Sequence, residues 1–79
     1  MKKKRIPEHH QKQLDTIGIF IKNIRLGENL SQLELSEQLN LHHNTIQRIE
    51  KGANSTLLTL FELADYMGYK PYEILEILD

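Results

Sequence analysis

Apolar residues recur along this chain at intervals of three and four, and they do not alternate with polar ones in a β-branched context. That spacing predicts helices packed on one face, and no strands. Leu14, Ile17, Ile21 and Ile24 make the first stripe, on a helix that begins at about Pro7 or at Leu14 and stops at Gly27-Glu28-Asn29. Ser31-Gln32-Leu33-Glu34 opens a second helix as a capping box, the hydroxyl taking an amide three residues on and Glu34 reaching back. Leu33, Leu35 and Leu39 are its apolar residues, and Asn40, which tolerates left-handed backbone, ends it. A third helix runs from about His43 to Lys51, its start open by two residues because Asn44-x-x-Gln47 also reads as a cap, with Ile46 and Ile49 turned inward and Gly52 as its stop. Ser55 or Thr56 caps a fourth, faced by Leu57, Leu60, Leu63, Ala64 and Met67 and ended by Gly68. Pro71 suits the first turn of a fifth, with Tyr72, Ile74, Leu75 and Leu78.

Composition narrows the function. With 79 residues and 39% apolar side chains, the chain supports one small core, and a domain of that size gains from a partner subunit. There is no cysteine, so a disulfide framework and a thiolate metal site are excluded, and a cytoplasmic location is expected. The basic start, Met1-Lys2-Lys3-Lys4-Arg5, has no apolar segment behind it and does not read as a secretory signal. The net charge of −1 is unevenly spread. Residues 1–54 carry nine Lys/Arg against six Asp/Glu, whereas residues 55–79 carry Lys70 against Glu62, Asp65, Glu73, Glu76 and Asp79. A polarised chain is compatible with a nucleic-acid partner, because the local field matters more than the total.

Two short helices joined by a tight turn at Asn40 are the outline of a helix-turn-helix. At about 100° per residue, Ile46, Ile49 and Glu50 share one side of the third helix, and His43, Asn44, Gln47, Arg48 and Lys51 share the other. That outer side is rich in amides and cations. Asn and Gln bond bidentately to adenine and Arg to guanine, so it suits the base edges of a major groove. The second and fifth helices show ordinary solvated faces instead, with Glu34, Glu37 and Gln38, and with Glu73 and Glu76.

Residues from about Ile17 to Leu75 resemble the phage-repressor and Cro-like helix-turn-helix family, also called XRE. The matching pieces are Ile17-Gly18-x-x-Ile21-x-x-Ile24-Arg25, Leu30-Ser31-Gln32-x-x-Leu35, Asn40-Leu41, Thr45-Ile46-x-Arg48-Ile49-Glu50-Lys51-Gly52 and Leu57-x-x-Leu60-x-x-Leu63-Ala64. The resemblance implies an all-α, five-helix, lambda-repressor-like domain over residues 14–79, preceded by a basic N-terminal arm over residues 1–13. It implies that His43, Asn44, Gln47 and Arg48 face base edges, and that Gln32, Lys51, Asn54, Ser55 and Thr56 hold backbone phosphates. Arg25 and Glu50 match a mostly buried ion pair tying the first helix to the third. Lys2, Lys3, Lys4 and Arg5 match the basic arms that some members lay on DNA. Two departures stand out: Ser36 occupies a position where the family prefers Ala, and His42 one where it usually has a small capping hydroxyl.

These readings make the chain a sequence-specific regulator of double-stranded DNA, expected to repress as a homodimer on a near-palindromic operator. The final helix, through Ile77 and Leu78, is the expected dimer contact, and the spare apolar residues Ile19 and Phe20 are a second candidate. The alternative is an antitoxin-type protein that covers a co-encoded toxin and represses its own promoter. His9-His10 and His42-His43 are adjacent pairs that do not share a helix face, so no metal site is expected. No cofactor and no catalytic residue are expected either: no nucleophile is paired with a base and no glycine loop could cradle a phosphate.

Overall fold

Pro7 opens the first helix: its carbonyl accepts from the amides of His10 and Gln11 at 3.0 and 2.9 Å. In the computed structural model, which describes residues 5–78, five helices follow in order. They are α1 (Glu8–Gly27), α2 (Gln32–Gln38), α3 (Thr45–Glu50), α4 (Leu57–Tyr66) and α5 (Pro71–Leu75), with a 3-10 turn over Glu76–Leu78 continuing from α5. Of the two starts open to α1, the earlier is taken. Residues 8–13, counted with the arm on sequence grounds, are helical.

The helix ends are local chemistry. Ser31 Oγ accepts from the Glu34 amide at 3.0 Å while Glu34 Oε1 accepts from the Ser31 amide at 2.8 Å, the reciprocal box that starts α2. The Ser31 amide donating to it, with a further contribution from the Ser31 side chain, holds the Glu34 carboxyl below its ordinary pKa. Thr56 caps α4 by accepting from the Thr59 amide at 3.2 Å. Four helices stop in the same way, with a residue in left-handed backbone and an amide reaching back five residues: Leu30 to Arg25, Leu41 to Ser36, Ala53 to Arg48 and Tyr69 to Ala64. The left-handed residues are Asn29, Asn40, Gly52 and Gly68. At the end of α1 it is Asn29, two residues past Gly27, that makes the turn.

Ile21, Leu35, Ile46, Ile49 and Leu63 form one buried cluster drawn from α1 to α4, with Ile17, Leu30, Leu39, Leu41 and Met67 packed around it. Ala64 and Ile74 are also fully buried. Burying a side chain of this size contributes about 1.5–3 kcal/mol. Several residues of the apolar stripes stay outside. Leu33 is 52% exposed because it lies two residues from Leu35, on the opposite side of a short helix. Leu57, Tyr72 and Leu75 are exposed as well.

Two small residues set the spacing of α3. Gly18 lets α1 cross it closely: a Cβ there would stand 2.5 Å from the Ile49 carbonyl oxygen and 2.9 Å from that of Glu50. Ser36 on α2 is fully buried, and its hydroxyl has no hydrogen-bond partner. An unmet buried hydroxyl destabilises a fold, whereas an apolar replacement of the same size does not. Ser36→Ala is therefore expected to stabilise the domain by about 1 kcal/mol, read as a higher urea midpoint at unchanged slope.

Candidate nucleic-acid interface

The side of α3 that meets solvent is decided by the side that does not. Ile46 and Ile49 are buried at 0% and 5% exposure. Between and just beyond them, Gln47, Arg48 and Lys51 are exposed. The helix begins at Thr45, the later of the starts the spacing leaves open, so His43 and Asn44 present themselves from the turn before it. His43 is exposed and Asn44 is half-buried. Asn44 takes the N-cap position but makes no side-chain cap bond to α3. Its Oδ1 instead lies 2.8 Å from His42 Nδ1, and the His42 and His43 rings lie tilted at 33° with centroids 4.3 Å apart.

Glu50, the last residue of α3, is turned away from this face. Arg25 Nε donates to Glu50 Oε2 at 2.6 Å and Arg25 Nη2 to Glu50 Oε1 at 3.0 Å, with the two side chains only 7% and 3% exposed. Arg25 Nη1 also donates to the Leu30 carbonyl at 2.7 Å. The side-chain hydrogen bonds to Glu50 raise the guanidinium pKa, against a smaller lowering from burial. Gln32 joins the group, its Nε2 donating to Glu50 Oε1 at 2.9 Å. This cluster ties α1, the start of α2 and the end of α3 into one unit. It uses one N–H of Gln32 and leaves the second N–H able to donate to a phosphate.

Beside α3, the loop into α4 comes close to its basic side. Arg48, Asn54, Ser55 and Thr56, with Thr45 and Thr59, line a cleft of about 180 Å³. The Thr56 hydroxyl is engaged in capping α4, accepting from the Thr59 amide and donating to Thr59 Oγ1 at 3.1 Å. Arg5 is exposed and lines a groove of about 610 Å³ that Asn54 also lines. Lys2, Lys3 and Lys4 lie outside the described residues.

Sequence reasoning missed Gln11 and Asp15. Gln11 Nε2 donates to the Gly52 carbonyl and to Asp15 Oδ1, both at 2.9 Å, which fastens the beginning of α1 to the end of α3. A Gln and an Asp one turn apart were the available signal, obscured because residues 8–13 were assigned to the arm. Among the described residues, no group of His, Asp and Glu is gathered as a metal site would need, and no helix is long and apolar enough to cross a membrane.

The helix-turn-helix family model HTH_3 matches residues 21–74, which takes in all of α2, α3 and α4. This chain belongs to the XRE-type helix-turn-helix family. It is a DNA-binding transcriptional regulator. In this XRE-type regulator, α2 and α3 are the two helices of the motif, joined through the left-handed Asn40. No curated protein and no solved structure matches the chain.

Proposed function

We propose that this XRE-type regulator is a cytoplasmic repressor that binds a near-palindromic operator as a homodimer and reads it with the exposed side of α3. One observation carries the reading. From Gln38 to Phe61 the chain has a single carboxylate, Glu50, and that carboxylate is locked into the buried pair with Arg25. The surface left to face DNA holds imidazole, amide and cation groups and no acid. His43, Asn44, Gln47 and Arg48 take the base edges. Gln32, Lys51, Asn54, Ser55 and Thr56 hold phosphates on either side, and Lys2, Lys3, Lys4 and Arg5 extend the contact along the backbone. Phosphate contacts set position and base contacts set sequence preference.

A single α3 reads only a few base pairs. Two related by a twofold axis would sit one helical turn of DNA apart, about 34 Å. The dimer contact we assign is the end of the chain, where Ile77 and Leu78 are half-buried and the neighbouring Leu75 is 46% exposed. Ile19, at 57% exposure, keeps an apolar surface for a second contact. Phe20 contributes less, since its ring packs edge-on against Tyr69 with centroids 5.5 Å apart.

The test is a titration of purified protein against its own upstream DNA and an unrelated duplex at two salt concentrations. Own-site binding tighter by about a thousandfold or more is expected. Gln47→Ala and Arg48→Ala should each cost about 1–3 kcal/mol on the preferred site alone. Lys51→Ala should weaken binding to both duplexes and reduce the salt slope by about one. Equal, salt-sensitive binding of wild type to both duplexes would remove the autoregulatory reading.

Exposed Leu57 and Leu58, each at 66%, favour one other reading. An antitoxin-type protein would cover a co-encoded toxin with such a surface and repress its own promoter. A stoichiometric complex with the product of the adjacent gene would support it.

A further inference from the structure

The geometry points to His42 as a positioning residue that sets which base Asn44 prefers. The inference rests on the DNA-reading role proposed for Asn44, and adds a specificity device in the turn before α3.

Asn44 Oδ1 is 2.8 Å from His42 Nδ1. An amide oxygen only accepts, so in this pair Nδ1 carries the hydrogen. The competing tautomer would leave a lone pair on Nδ1 facing the Asn44 amide, but that contact is long, at 3.5 Å. The neighbouring ring of His43, tilted at 33° with centroids 4.3 Å away, limits how far the His42 ring can turn. The Asn44 oxygen is thereby directed to His42, and its Nδ2 hydrogens are the end left for a partner.

This changes what Asn44 can read. A bidentate contact to adenine needs the amide oxygen and nitrogen together, one accepting from N6 and the other donating to N7. Guanine presents two acceptors, N7 and O6, on the same edge. The oxygen keeps a second lone pair, but with the amide turned so that its oxygen faces the imidazole, Asn44 presents its Nδ2 hydrogens outward and favours guanine. Freed from His42, it could turn and present both atoms to adenine. His42 itself is exposed, as is His43, so replacing it leaves the core untouched.

The test pairs a DNA selection with a spectrum. Duplexes are selected from a random library by wild type, by Asn44→Ala and by His42→Ala, and the position that loses its preference in Asn44→Ala is compared across all three. Wild type is expected to take guanine there. His42→Ala is expected to move the preference toward adenine by about fivefold or more, with melting temperature and affinity for unrelated DNA unchanged. In the free protein at mildly alkaline pH, a long-range proton–nitrogen spectrum should show the His42 proton on Nδ1. The same base preference in wild type and His42→Ala, or a proton on Nε2 alone, overturns the proposal and leaves the DNA-reading role standing. No enriched sequence with wild type sinks that role, and this proposal with it.

Discussion

Arg25→Met is expected to destabilise the domain by about 3–5 kcal/mol, because it leaves the Glu50 carboxylate buried without its cation. Glu50→Leu should cost a similar amount, stranding a guanidinium that is only 7% exposed. A domain of this size has about 5–15 kcal/mol of stability in all, so either variant should be substantially unfolded at moderate temperature. The double variant separates pairing from packing. If the singles suffer from an unpaired charge, Arg25→Met with Glu50→Leu should recover much of the loss, since two apolar side chains fill the space without desolvating an ion. Urea unfolding of the four proteins gives the coupling directly. Losses that simply add would mean that the ion pair is not the source of the effect.

Gly18→Val ranks second. A glycine replaced within an exposed helix normally gains stability, Ala by about 1 kcal/mol. Here the first added carbon would stand 2.5 Å from the Ile49 carbonyl oxygen. That oxygen belongs to the backbone of α3 and cannot swing aside as a side chain could. Gly18→Ala is expected to lose about 1–3 kcal/mol net, and Gly18→Val about 3 kcal/mol or more, as overpacking that drives α1 from α3. Because α3 is also the reading helix, folded Gly18→Ala should bind its operator less tightly while keeping its affinity for unrelated DNA. Calorimetry and a titration on the same sample check both halves.

The parts of the fold legible in the sequence are those governed by neighbours in the chain. The Ser31–Glu34 box, the Thr56 cap and the left-handed Asn40 and Gly52 depend on residues within five positions, so spacing alone exposes them. Ile46 and Ile49 were legible for the same reason, and once they turn inward the outward set follows. The Arg25–Glu50 pair joins residues 25 apart in the chain, and it was reached through family resemblance and not through local pattern. Contacts with no such guide stayed hidden. Gln11 on the Gly52 carbonyl depends on how α1 crosses α3. Nothing in the apolar stripe of α4 says that Leu57 points out at 66% exposure while Leu63, six residues on, is fully buried. The turn before α3 is legible in part: Asn44-x-x-Gln47 spacing allows Asn44 as the N-cap, which it is, but that its side chain bonds to His42 instead of capping depends on side-chain geometry that spacing does not encode.

The most direct test of the central claim, that the exposed side of α3 reads DNA, is an amide NMR titration of the protein with its selected duplex. The account predicts that the largest shifts fall on His43, Asn44, Gln47 and Arg48, flanked by smaller ones at Gln32, Lys51 and Asn54 to Thr56. Glu62, Asp65 and the residues of α5 should move far less. Shifts centred on Leu57, Leu58 and Leu75, with α3 unmoved, would contradict it.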